Sequence, residues 1–363
     1  MPEVHVQRRA RMRGLLEARD LDAALVTHQV NVRYLTGFTG SNGALLLTVA
    51  GSAMLATDGR YTDQATQQCR DVPAITTRAL AGDLLAKAGN VGRLGVETHA
   101  MTVDAHTALA ANLAAEASTT VALASLGRAV EQLREVKDPT EVDAVARACA
   151  ISTEALEQLL AGPLVGRGER ELARDLEWRM FALGAEAVAF DTIVAGGPHS
   201  AVPHHEPTDR ALAPGDLLKI DFGARVDGYH ADCTRTCVLG EPADWQREIH
   251  AAVRDAQRAG VDAMVTGAPV AQPDAAARQV LDEAGWLDRF TTGIGHGVGL
   301  QIHEDPFVGP RHLGRLGERS TITMEPGVYL PGRGGVRIED TVVVGPAAPR
   351  VLTDTTRELL VVG

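Results

Sequence analysis

Two pairs of acidic residues and one histidine carry the most chemistry in this chain. The stretch DLLKIDFGARVDGYHADCTRTCV, Asp216 to Val238, reads as strands Leu217–Ala224 and Tyr229–Val238 joined around Arg225–Gly228. Asp-Gly there is a strong hairpin signal. A turn centred between Val226 and Asp227 puts Asp221 opposite Asp232, their Cβ atoms about 5 Å apart on one face. Two carboxylates among apolar and β-branched neighbours repel each other unless something positive lies between them. A second hairpin, Ile322–Leu330 and Gly335–Val344 around Pro331-Gly332-Arg333-Gly334, puts Glu325 opposite Glu339. Between the hairpins in the chain lies His296, with Gly295 and Gly297 leaving its ring sterically open. Four carboxylates and one imidazole make a mixed oxygen and nitrogen donor set suited to two divalent first-row metals. Ions roughly 3.5–4 Å apart, bridged by carboxylates, would activate a shared water as nucleophile. Carboxylate-rich ligation favours manganese, with cobalt, zinc or iron as feasible substitutes.

These donors need a framework, and the chain supplies two kinds. Its first 125 or so residues alternate strands (Ala23–Thr27, Ala44–Val49, Ala53–Ala56, Ala74–Thr77, Leu94–Glu97) with helices (Arg8–Ala18, Tyr61–Cys69, Gly82–Ala88, Val103–Ala117). That alternation implies an α/β domain with a mixed or parallel sheet. Asn31–Phe38 and Thr57–Tyr61 read as loops. No histidines and acids cluster there at ligand spacing, so His99 and His106 read as solvated or capping residues. A boundary falls near Ser125–Val136. Asp138-Pro139-Thr140-Glu141 then supplies an N-cap, a first-turn proline and a capping-box acid for a helix to about Leu160. Glu169–Leu183 is a second helix, closed by Gly184. A loop rich in glycine, proline and histidine, GGPHSAVPHHEPTD, precedes the first hairpin, and helices Pro242–Met264 and Pro273–Ala284 precede the second. Paired helices followed by an acid-bearing hairpin thus occur twice.

The bulk properties exclude several functions. A net charge of −12 over 363 residues argues against nucleic acid or an anionic membrane surface as partner. No run of roughly 18 apolar residues spans a bilayer. Arg8, Arg9, Arg11 and Arg13 are followed by no apolar run, so they do not form a secretory signal. Four scattered cysteines build neither a disulfide scaffold nor a zinc site, and a reducing cytoplasm fits them. Cys233 and Cys237 fall on the strand face opposite Asp232, where small buried thiols are common. GIGHGVG is not a dinucleotide fingerprint, and neither GxxxxGK[ST], HExxH nor a catalytic GxSxG is present.

LLKIDFGARVDGYHADCTRT, GIGHGVGLQIHEDP, TMEPGVY and GGVRIEDT together resemble the successive signatures of the pita-bread metallopeptidases. That family includes Xaa-Pro aminopeptidase (aminopeptidase P), prolidase and methionine aminopeptidase. NVRYLTGFTG and ATDGRYTDQA resemble the creatinase-type N-terminal domain, which methionine aminopeptidases lack, so the resemblance points to the Xaa-Pro branch. It implies an α/β N-terminal domain over 1–128. An α+β pita-bread catalytic domain, of two pseudo-related helix-plus-antiparallel-sheet halves, would follow over 129–363. It also implies that Asp221, Asp232, His296, Glu325 and Glu339 ligate two metals, with Asp232 and Glu339 bridging. Asp221 would complete one site, and His296 with Glu325 the other.

The same resemblance makes His204 and His303 donors to the tetrahedral intermediate and Glu325 the proton carrier. Arg337, just before the last ligand, joins the catalytic residues or else supports Glu339, and Tyr329 becomes a wall of the prolyl pocket. His205 stands where glycine is common and reads as structural or solvent-facing, and His199 as a plain loop residue. Thr292 replaces a histidine frequent four residues before the metal-binding one, a difference that bears on the prolyl site and leaves the metals untouched. Cys233 replaces an apolar residue, a change in packing. The implied activity is hydrolysis of the bond before proline in a proline-containing peptide, by a homodimer. The alternatives are a prolidase restricted to Xaa-Pro dipeptides and a non-catalytic metal-binding scaffold.

Overall fold

The computed structural model describes residues 2–115 and 121–363. They form two compact units, 1–134 and 135–363. Among the described residues no helix is long and apolar enough to cross a membrane.

The first unit is built on a six-stranded sheet. Its strands are β1 (Ala23–Val26), β2 (Gly43–Thr48), β3 (Ala53–Thr57), β4 (Ala74–Thr76), β5 (Arg93–Val96) and β6 (Ala122–Ser125), ordered β4-β3-β2-β1-β5-β6. β2 pairs antiparallel with β1 and β3, and the other pairings are parallel, so the sheet is mixed. Around it lie α1 (Pro2–Ala18), α2 (Gln29–Thr36), α3 (Thr62–Gln68), α4 (Leu80–Leu85), α5 (Val103–Ala115) and α6 (Ala129–Glu135). Glu116 and Ala117, the end expected for α5, lie outside the described residues.

Two expectations fail in this unit. Asn31–Phe38 is not a loop: Asn31–Thr36 belongs to α2, which buries Val32, Tyr34 and Leu35 and ends at Gly37 in the left-handed region (φ 80°). The apolar and aromatic residues of α2, Val30, Val32, Tyr34 and Leu35, alternate over most of its length and so hide the helical period. Histidine and acids do meet as well, because the fold joins what the spacing keeps apart. The buried Asn31 amide donates to Glu97 Oε1 and Glu131 Oε1, each at 2.7 Å, and His99 Nε2 lies 3.0 Å from Glu131 Oε1. His99 is therefore partnered, although the residue itself is exposed.

The second unit repeats one plan twice. α7 (Pro139–Leu160) begins with the expected capping box, in which the Asp138 carboxylate accepts from the N–H groups of Thr140 and Glu141 while Glu141 accepts from Asp138. With α8 (Glu169–Ala182) it packs on strands β7 (Ala187–Val188) to β12, among them β8 (Ile193–Gly196) and β9 (Leu217–Phe222). After β9 come β10 (Ala224–Val226), β11 (Tyr229–His230) and β12 (Cys233–Leu239). Cys233 and Cys237 are buried in that core, as their place opposite Asp232 predicts. α9 (Asp244–Asp262) and α10 (Gln272–Glu283) then cover β13 (Gly295–Gly297), β14 (Glu304–Val308), β15 (Thr321–Met324), β16 (Gly327–Leu330), β17 (Gly334–Arg337) and β18 (Asp340–Val343). Short strands β19 (Arg350–Val351) and β20 (Val361–Val362) edge two of the sheets.

The first hairpin turns one residue later than expected. Asp227 (φ 50°) and Gly228 (φ 79°) are the two central residues of a tight turn closed by Val226 and Tyr229, the geometry Asp-Gly favours. Asp221 consequently faces Thr234, and Asp232 is not directly opposite it. The register moves by two residues, a full period of the strand, so both aspartates stay on one side and sit diagonally. The second hairpin has the expected register: Met324 faces Asp340 and Gly327 faces Arg337, which sets Glu325 against Glu339.

A buried ion pair anchors the segment after β13. Lys137 Nζ donates to Glu304 Oε1 at 2.8 Å, with both side chains almost sealed from solvent. Lys137→Met should cost about 3–5 kcal/mol by removing the lysine charge from the buried Glu304 carboxylate, read as a lowered midpoint in urea unfolding. A loss under 1 kcal/mol would mean that Glu304 finds water or another partner.

Candidate metal centre

The two hairpins of the second unit meet face to face. Glu339 N–H donates to Thr234 O at 3.0 Å, and Thr234 Oγ1 donates to Glu339 Oε2 at 2.7 Å. Thr236 Oγ1 donates to Arg337 O at 2.9 Å, one step further along. The threonines of CTRTC thus sew the Asp221 and Asp232 hairpin to the Glu325 and Glu339 hairpin. Sequence reading missed Thr234, although its alternation with Asp232 on one strand face carried the signal.

β13 delivers His296 between them. Its flanking glycines do more than leave the ring open: a Cβ at Gly295 would come within 2.1 Å of Thr323 O, and one at Gly297 within 2.4 Å of Asp305 O. Only glycine lets β14 and β15 close on this strand. His296 Nδ1 donates to Gly297 O at 3.0 Å, leaving the Nε2 lone pair to face Glu325 Oε1 at 3.4 Å and Asp232 Oδ2 at 3.5 Å. Ligand atoms of Asp232, His296 and Glu339 all lie within 4.8 Å of one another.

The electrostatics identify what is missing. Burial, then the neighbouring carboxylates, push Asp232 and Glu339 well above the usual range. Burial raises Glu325 to about 7 against the pull of Arg337. Arg337, itself buried, is spread over several tasks: Nη2 donates to Asp221 Oδ2, Nε to Thr234 Oγ1 (3.1 Å), and Nη1 to Tyr329 Oη (2.9 Å) and Pro203 O (3.2 Å). Asp221 Oδ1 remains buried with no hydrogen-bond partner. The adjacent Asp340 shows the contrast. It points the other way, onto Arg235, Arg357, Gln257 and Thr353, and the two arginines outweigh its burial and lower its pKa. For Glu339 and Asp232 the pull of Arg337 does not outweigh burial and the neighbouring acids. Divalent ions fit that deficit of positive charge and that donor set.

The remaining expected residues lie around this cluster. The exposed His303 sets its ring edge-on to His296, centroids 4.4 Å apart. His204 is exposed, near enough to Glu325 and His303 for its charge to act on both. Tyr329 is buried, its ring 5.3 Å from Lys219 Nζ. Thr292 Oγ1 is buried and unpartnered. Lys219 went unremarked in the sequence, though a lysine inside an apolar strand is conspicuous. Its ammonium donates to Val202 O and Pro203 O at 2.6 and 3.1 Å, behind His204. His199 is not an idle loop residue, and His205 takes the structural role of its two expected ones, for both bond to Glu169.

Similarity to known proteins agrees with this geometry. Residues 143–346 match Metallopeptidase family M24, and residues 8–136 match the Creatinase/Prolidase N-terminal domain. The Xaa-Pro dipeptidase of Pyrococcus furiosus is 33% identical over 347 residues, 95% of this chain and 97% of the relative. The solved Xaa-Pro dipeptidase from Bacillus anthracis aligns with a TM-score of 0.92 at 32% identity, over 99% of this chain and 100% of that one. The X-Pro aminopeptidase from Thermotoga maritima gives 0.88 at 33% identity, over 98% and 99%. From the paired hairpins to the near full-length matches, the chain belongs to metallopeptidase family M24, with a creatinase-type domain before its pita-bread domain.

Proposed function

We propose that this metallopeptidase cleaves the bond before proline and releases the N-terminal residue of Xaa-Pro peptides, with two divalent ions at Asp221, Asp232, His296, Glu325 and Glu339. The observation that carries the reading is the convergence of buried carboxylates and one imidazole lone pair with too little positive charge to balance them. Manganese is the ion that this carboxylate-rich set favours. When bound, the ions supply Lewis acidity and acidify water at neutral pH.

The chain's own residues do the rest. Glu325, at the solvent-facing side of the cluster, takes a proton from the attacking water and delivers it to the proline nitrogen, which has no hydrogen of its own. His204 and His303 donate to the oxygen on which charge develops. Arg337 fixes Asp221 and Tyr329 together, and Tyr329 borders the proline ring. The dipeptidases among the relatives favour a second reading, restriction to Xaa-Pro dipeptides. All four cysteines are buried free thiols, consistent with a reducing cytoplasm.

Four outcomes are expected. Chelation should abolish Xaa-Pro cleavage and manganese should restore it. Asp232→Asn should lose bound metal and lower kcat/KM more than about a hundredfold; full metal content and activity in that variant would remove Asp232 from the ligand set. With manganese present, an Xaa-Pro-Xaa tripeptide should be cleaved faster than an Xaa-Pro dipeptide, whereas cleavage of the dipeptide alone would establish the prolidase reading. The metal-free protein should also respond to pH. Glu325 is raised from 4.5 to about 7 on folding, so the unfolded chain holds fewer protons than the folded one between those values. Metal-free stability should therefore fall as pH rises through that window, and manganese should reverse the fall. A melting temperature flat with pH would show that Glu325 holds its proton no more tightly in the folded chain than in the unfolded one.

A further inference from the structure

Glu169 lies far in sequence from every expected ligand, yet it receives more hydrogen bonds than any carboxylate of the metal cluster. It is the first residue of α8 and fully buried. Its Oε1 accepts from Gly196 N–H and His199 Nδ1, both at 2.8 Å. Its Oε2 accepts from His205 Nε2 at 2.9 Å, and from Thr208 N–H and Oγ1 at 3.0 and 2.7 Å. Burial alone would raise this carboxyl; the donors from Gly196, Thr208 and His205 bring it down to about 2.

The five donors come from the start, middle and end of one segment, residues 196–208. In the middle of that segment the carbonyl oxygens of Val202 and Pro203 are held by Lys219, and Pro203 O also by Arg337. His204 is enclosed by these restraints: Pro203 before it is tied to the metal-cluster side, and His205 after it is tied to Glu169. Its own side chain is exposed. The two imidazoles on Glu169 lie 4.4 Å apart, tilted by 34°, one on each carboxylate oxygen.

Glu169, His199 and His205 also have the composition of a cation site. A carboxylate offers about four lone-pair positions, and five donors already occupy them. No lone pair is left for an ion, so the group works as a clasp.

We propose that the Glu169 carboxylate, gripping His199 and His205, is a positioning device that fixes His204 in the active site. The inference rests on the role given to His204 under the proposed function. Misplacing a catalytic donor by about 1 Å costs up to about a hundredfold, which sets the size of effect to look for.

The test is a double-mutant cycle on the manganese-loaded enzyme, with metal content measured for every variant. Glu169→Gln should lower kcat about tenfold to a hundredfold with little change in KM and an unchanged metal content. In a His204→Ala background the same change should cost less than about threefold, since the group it positions is gone. His205→Ala should share the defect and His205→Gln, which keeps a donor, should recover most of it; this pair runs the same cycle if Glu169→Gln does not fold. Full multiplication of the two single effects overturns the inference and leaves the proposed function standing. Loss of one metal equivalent in Glu169→Gln also overturns it, by making the cluster a cation site. A silent His204→Ala removes both the role of His204 and the clasp built on it.

Discussion

Mutual repulsion among buried carboxylates is the constraint on which the catalytic unit is organised. Asp221, Asp232 and Glu339 are nearly closed to solvent, and Glu325 borders them. At close range in a poorly screened interior, such charges cannot all stay ionised without a counter-charge. The fold supplies one guanidinium, Arg337, and spends it chiefly on Asp221 and Tyr329. The remaining charge must be met by protons or by metal ions, so metal affinity and the acidity of the site are two aspects of one imbalance.

Holding repelling groups together requires a stiff surround. The threonine contacts between the hairpins, the close strand approach at Gly295 and Gly297, and the Lys137–Glu304 pair each remove a way for the acids to move apart. The loop with His204 is treated similarly, although no repulsion threatens it. Its backbone is tied at several points while the imidazole of His204 stays exposed.

Much of this was legible in the sequence, to different depths. The Glu325–Glu339 register could be read because Pro331, Gly332 and Gly334 confine the turn. The capping box at Asp138 is a local pattern and was equally plain. The Asp221–Asp232 register was misplaced because Asp-Gly can be read one residue early, and a hairpin with a two-residue turn shifts by two for each such error. The face survived the error because strands alternate with period two. The polar clusters at Glu97 and Glu169 could not be read. Their partners lie some 30 to 100 positions away and are brought close only by tertiary structure.

The meeting of Thr234 with Glu339 has a wider meaning for the life of the protein. It joins strands separated by about a hundred residues, with two helices between them. A cation shared across that junction would bridge parts of the chain that must both have folded first. The bound ion would then be a removable cross-link, inserted after assembly and surrendered before disassembly. Where metal is scarce, the cell would hold a pool that is less active and also easier to unfold and to degrade.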